Sequence, residues 1–190
     1  MSAFLTDGVV SLRPIQRADL PQLAIWRNEP EMRAKVREWR PLTDVDQERW
    51  YERISGPNRT DFMFAVVSQG GRDVAYAVSG IMVGVVGLCH WDAINGTAEV
   101  SYYLGAEWAR GQGYAKRALT LLFDWGFETM RLERIWAEIY EGNGASGYVA
   151  ESLGFVHEGT LRKHVHKNGQ RIDAHLYGLL ASEWKAAQHG

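Results

Sequence analysis

Residues 108–127, WARGQGYAKRALTLLFDWGF, hold the clearest set of chemically useful groups in this 190-residue chain. Gly111 and Gly113 stand one residue apart behind Arg110. From Gly113 onward Ala115, Ala118, Leu119, Leu122, Phe123, Gly126, Phe127 and Met130 recur at spacings of three and four, the apolar stripe of an amphipathic helix. The glycine loop therefore lies at a helix N-terminus, where free N–H groups and the helix dipole favour an anion. Glycine lets the backbone approach that anion closely, and Arg110 and Lys116 add positive charge nearby. A pyrophosphate cradle is one reading of this loop, and a flexible turn before a core helix is the other. It is neither of two familiar loops: no Gly-Lys-Ser/Thr follows at Walker A spacing, and the dinucleotide fingerprint needs glycine at 116, where Lys116 stands.

The remaining polar groups exclude several chemistries. Cys89 is the single cysteine, so an intrachain disulfide framework and a multi-cysteine zinc site are ruled out, and a reducing compartment is expected. His164 and His166 would share a strand face near His157, but no third ligand is spaced for a metal, and none is expected. His90 and Trp91 close an apolar run and are read as core or rim residues. A formal net charge of −2 offers no basic field for nucleic acid or an anionic membrane. The most apolar stretch, DVAYAVSGIMVGVVGLCHW, is broken by glycines at 80, 84 and 87, which argues against a membrane span. MSAFLTDGVVSLRP carries no basic segment followed by an apolar run, so a signal peptide is not expected and a soluble, cytoplasmic setting is.

The elements that must position the loop separate readily. GVVSLRPI reads as a first strand stopped by Pro14, and RADLPQLAIWRNEPEM as a helix with Asp19 at its cap. TDVDQERWYERI is a second helix capped by Thr43 or Asp44. DFMFAVV and IMVGVVGLCHWD read as buried strands around the loop SQGGRDVAYAVSG, and AEVSYYLG follows the tight turn NGT. Beyond the glycine-loop helix, LERIWAEIY alternates as a strand, and NGASGYVAESLGF is a short helix that Asn143 caps in one reading. No repeat or linker divides the chain, so one domain over residues 1–190 is expected, α/β or α+β with a mixed sheet.

The order AEVSYYLG, ARGQGYAKRAL, RIWAEIYEGNGASGYVAESLGF and EGTLR…NGQRIDAHLYGLLASEW resembles the GNAT superfamily of N-acetyltransferases, and within it the RimJ/RimL-like branch. The likeness spans roughly residues 8–185 and is densest from 97 to 180. It implies a mixed, splayed, mostly antiparallel sheet of six to seven strands flanked by helices. Acetyl-CoA would lie as cosubstrate between AEVSYYLG and RIWAEIY. Its pyrophosphate would meet the amides of Gly111, Gln112, Gly113, Tyr114 and Ala115, with Arg110 at the edge. Its pantetheine would pair with backbone near Tyr103 and Leu104 and pass Asn143, for which helix capping stays an equal role.

The implied reaction needs a neutral amine, a polarised thioester carbonyl and a proton for the departing thiolate. Alkyl amines are mostly protonated at neutral pH, with a pKa near ~10.4, so a base is required. Glu99 holds the position where the family often carries a glutamate acting through water; an ordinary exposed strand carboxylate is the alternative. Many relatives place a tyrosine acid where this chain has Ala150. Ser146, the serine common in the branch, is the substitute donor, with Tyr148 a weaker one. Trp26, Trp39 and Trp50 come from the N-terminal helices that usually wall the acceptor. Acceptors in the branch include protein N-termini, polyamines, antibiotic amines and amino sugars, and IWRNEPEMR resembles enzymes acting on nucleotide-linked amino sugars. A homodimer is a common assembly there. A silent CoA-binding sensor and an unrelated phosphate-ligand binder or scaffold are the competing classes.

Overall fold

The computed structural model describes residues 3–70 and 80–189. Most of the expected loop SQGGRDVAYAVSG, residues 71–79, lies outside the described residues. The sheet has eight strands in the order β1-β2-β3-β4-β5-β6-β8-β7. They are β1 Leu5–Thr6, β2 Val10–Pro14, β3 Phe62–Ser68, β4 Ile81–Asp92, β5 Thr97–Leu104, β6 Arg134–Tyr140, β7 Val156–Lys167 and β8 Gln170–Leu180. The count exceeds seven because the two-residue β1 pairs with the free edge of β2. Every neighbouring pair is antiparallel except β5 and β6, which run parallel.

Period-2 alternation in β3 feeds both faces. Phe64 and Val66 join the core under α4 (Tyr114–Glu128), while Ala65 and Val67 join the one under α1 (Leu20–Asn28) and α3 (Asp44–Ser55). α4 buries Leu119, Leu122, Phe123 and Phe127, each stabilising by roughly 1.5–3 kcal/mol through removal of apolar surface from water. This burial anchors the helix that the glycine loop opens.

The long N-terminal helix expected over residues 17–32 is broken. A 3-10 turn at Arg17–Asp19 precedes α1, and α2 (Pro30–Lys35) starts afresh after Glu29 adopts ψ 132. The ring of Pro30 disfavours helical geometry in the residue before it and suits the first position of a new helix. Asp19 stands at the cap position of α1 without capping it. Its carboxylate instead accepts from Arg13 and from the Gln16 amide. Thr43 does cap α3, in a reciprocal capping box with Asp46. At Gly105 the chain passes so close to Trp26 that an added Cβ would lie 1.9 Å from its ring. α5 (Gly144–Ser152) follows β6, and α6 (Ala181–His189) closes on the face of α4, where Trp184 Nε1 donates to Asp124.

Candidate active site

The parallel pairing of β5 and β6 is short. Thr97, Ala98 and Glu99 register with Arg134, Ile135 and Trp136, and the ladder stops there. Beyond Glu99 the strands part, leaving the β6-facing edge of β5 without a strand partner while β4 still pairs with it through Leu104. A cavity of about 590 Å³ opens at this wedge, lined among others by Glu99, Tyr102, Tyr103, Asn143, Ser146 and Ala150. Strand edges of this kind offer unpaired backbone groups to an extended ligand.

The glycine loop follows the end of β5, and none of residues 110–115 is among the cavity-lining residues. Gly111 and Gly113 have φ of 71° and 79°, left-handed values that glycine adopts without strain, and no protein atom lies within 4 Å of an added Cβ at either. Gly113 occupies the cap position of α4 and no side chain caps the helix, so its first-turn amides face outward over an open approach. Gln112 is exposed and Ala115 half-buried. Tyr114 contributes only its backbone here, because its ring is buried against Trp108 and its hydroxyl meets Ser68 Oγ at 3.0 Å. Arg110 Nε donates to the Leu104 carbonyl at 3.2 Å, and its guanidinium lies near Glu29 and Glu31 at 3.9 and 3.6 Å. It thereby ties the end of β5 to the loop.

Glu99 marks the apex of the wedge and is 6% exposed, which removes the reading of an ordinary surface carboxylate. Arg37, from the loop after α2, donates to both its oxygens at 2.8 and 2.6 Å and reaches Glu138 of β6 at 3.2 Å. One guanidinium therefore bridges the two strands where they separate. Burial lowers the Arg37 pKa, but the hydrogen bonds and charge of Glu99 outweigh it and raise the group further. The His90 ring completes the cluster, with Nδ1 2.8 Å from Glu99 Oε2.

Asn143 sits at the head of α5 and lines the cavity, and its side chain makes no capping bond. Ser146 also lines the cavity, as does Tyr102, whose hydroxyl pKa burial pushes upward. Ala150 is buried beside them, while Tyr148 is 75% exposed and is not among the cavity-lining residues. Tyr103 packs its ring on Trp26 and under the Arg27 guanidinium, leaving backbone as its offering to the wedge. Trp50 lines the cavity, Trp26 is core, and Trp39 is 70% exposed. No cluster of three metal-binding side chains occurs among the described residues, and none of their helices is long and apolar enough to cross a membrane.

Sequence reasoning missed Arg37 and Tyr102 and set His90 aside. Arg37 lies 62 positions from Glu99 in an irregular loop, where no local pattern marks it. His90 did carry a signal: it interrupts the apolar run of β4 at a point that the structure shows to be a bulge.

A splayed parallel pair feeding an uncapped, glycine-led helix is the framework of an acyl-group transferase. The chain belongs to the family described as acetyltransferase (GNAT) domain, whose pattern matches residues 10–156. It is 31% identical to the uncharacterized N-acetyltransferase p20 of Bacillus licheniformis over 177 residues, covering 92% of this chain and 94% of the relative. It is likewise 31% identical to the ribosomal-protein-serine acetyltransferase of Escherichia coli over 99 residues, 52% of this chain and 55% of that one. Among solved structures, the spermidine N-acetyltransferase from Vibrio cholerae in complex with CoA and spermine superposes with a TM-score of 0.81 at 22% identity, covering 94% of this chain and 99% of that chain. The fold is shared with that enzyme, and the chain is an N-acetyltransferase by family.

Proposed function

We propose that this chain moves the acetyl group of acetyl-CoA to a primary amine by direct attack on the thioester, as one catalytic domain working in the cytoplasm. The observation that carries the reading is the unpaired edge of β5 beyond Glu99, which runs from a buried carboxylate to Leu104, whose carbonyl accepts from Arg110 of the glycine loop. Pantetheine would add to that edge near Tyr103 and Leu104 and pass the uncapping amide of Asn143, with the pyrophosphate on the loop. Arg110 would supply its charge from the edge of the cradle. The incoming ammonium would be drawn to the carboxylates at the apex, Glu99 and Glu138, and must lose a proton there before it attacks. Ser146, which lines the cavity with Tyr102, would supply the proton to the departing thiolate in place of a tyrosine at Ala150.

The cavity wall favours a monoamine or a protein N-terminus over a polyamine. Arg27, Arg37, Arg49 and Arg53 stand among Asp61, Glu99 and Glu138, so the wall lacks the excess of negative charge that a multiply charged amine would need. An amine panel followed by CoA release tests this. Peptide N-termini and monoamines are expected to turn over, with spermidine slower; spermidine as the best acceptor would overturn the preference. Acetyl-CoA is expected to raise the melting temperature, and no shift at saturation would remove both the transferase reading and the silent-sensor alternative. Light scattering is expected to report a homodimer.

A further inference from the structure

His90 stands on a strained and anchored piece of backbone. The register of β4 against β5 slips between Cys89 and Asp92, and His90 takes a φ of 52°, a left-handed value rare for a residue with a side chain. Such bulges re-aim a side chain, and strain of this kind persists only where neighbours hold it. Here they do: the His90 amide donates to Asp61 Oδ1 at 3.0 Å, and the Trp91 amide donates to the Thr60 carbonyl at 2.9 Å. The outcome is an imidazole at the cavity wall, its side chain 59% exposed, with one nitrogen fastened to Glu99.

The two nitrogens are thereby given different tasks. An ionised carboxylate only accepts hydrogen bonds, so Nδ1 carries the hydrogen and donates to Glu99 Oε2. Nε2 is left with its lone pair. Glu99 itself is poorly placed to take a proton, because both its oxygens already accept from Arg37 and one also accepts from His90. We infer that His90 is the general base of the acetyl transfer and that Glu99 is its positioning residue, a carboxylate–imidazole pair held at the apex of the wedge. This rests on the transferase reading above and replaces a glutamate acting alone or through water.

In the step, the acceptor ammonium gives one proton to His90 Nε2, and the freed lone pair forms a C–N bond to the thioester carbonyl carbon. The C–S bond breaks, the second N–H proton ends on sulfur, and the imidazolium returns its proton to solvent. The charged groups that face His90 are Glu99 from β5, Arg37 from the loop after α2, Glu138 from β6, and the Asp61–Arg53 pair that anchors its backbone. Arg37 shares the charge of Glu99 and Glu138.

Two measurements decide the inference. Nitrogen–proton correlation spectra of the free protein, assigned through His90→Gln, are expected to show the Nδ1–H tautomer at His90 and its loss in Glu99→Ala; an Nε2–H tautomer in the wild type would overturn the pairing. In turnover, His90→Ala is expected to lower kcat by about 100-fold with the KM for acetyl-CoA unchanged. It should also abolish the rise of rate with pH on the acid side, and added imidazole should restore part of the loss. Glu99→Ala is expected to displace that acid limb, which a purely structural role would leave in place. A His90→Ala enzyme within about threefold of wild type, with the same pH profile, would overturn the assignment. Failure of the wild type on every amine would instead remove the transferase reading, while the tautomer still decides the pair.

Discussion

Arg37→Met isolates the clamp at the apex of the wedge. The guanidinium makes two hydrogen bonds to Glu99 and one to Glu138, both carboxylates being nearly buried at 8% and 11% side-chain exposure. Truncating one partner of a fully buried pair costs about 3–5 kcal/mol, because the other charge is stranded. Exposed pairs contribute below ~1 kcal/mol. Arg37 is itself 49% exposed, so solvent screens part of the interaction and the expected loss lies between these limits, about 2 kcal/mol. For a domain of this size that lowers the melting temperature by about 4–8 °C. Arg37→Lys should recover less than half, since a lysine ammonium cannot present two parallel donors to one carboxylate. A double-mutant cycle with Glu99→Gln, read by urea unfolding, should return a coupling of about 1–2 kcal/mol. A melting temperature unchanged within about 1 °C, together with a coupling near zero, would show the clamp to be an ordinary surface contact and refute the reasoning.

Other consequences are equally direct. Gly105→Ala drives a Cβ into the Trp26 ring and should destabilise the fold by about 2 kcal/mol or more, seen as an earlier urea midpoint. Burial acts to raise the Asp19 pKa, but the hydrogen bonds from Arg13 and the Gln16 amide prevail and hold it below the usual carboxylate range. A depressed folded-state value means its stabilisation is full above about pH 4 and is lost as pH falls through that value. Arg13→Met should therefore reduce stability at pH 7 and flatten the decline in acid. The Cys89 thiol is pushed up to about 12, chiefly by burial, so iodoacetamide should label the native protein slowly at pH 8 and the urea-unfolded chain quickly. Arg110→Glu should weaken CoA binding in calorimetry by more than tenfold, since it places like charge beside the cradle and next to Glu29 and Glu31.

Local physics made much of this protein legible from its residues. The three- and four-residue spacing behind Gly113 yields α4, apolar runs yield β3 and β4, period-2 alternation yields β6, and Asn168-Gly169, with φ of 49° and 79°, turns the β7–β8 hairpin. Those signals lie within a few residues of one another, as do the two glycines that open α4. The break at Glu29 was legible in principle from Pro30 but was overridden by the apolar pattern around it. What the tertiary structure alone decided is the apex. Strand splaying after Glu99 depends on how far β5 and β6 run together, which neither strand encodes by itself. Arg37 reaches Glu99 across 62 positions, and His90 points at it only because a bulge held by Asp61 and Thr60 turns the backbone. Charge complementarity over such separations leaves no periodic trace in a chain, so Glu99 was a candidate by resemblance while Arg37, its partner across 62 positions, left no mark.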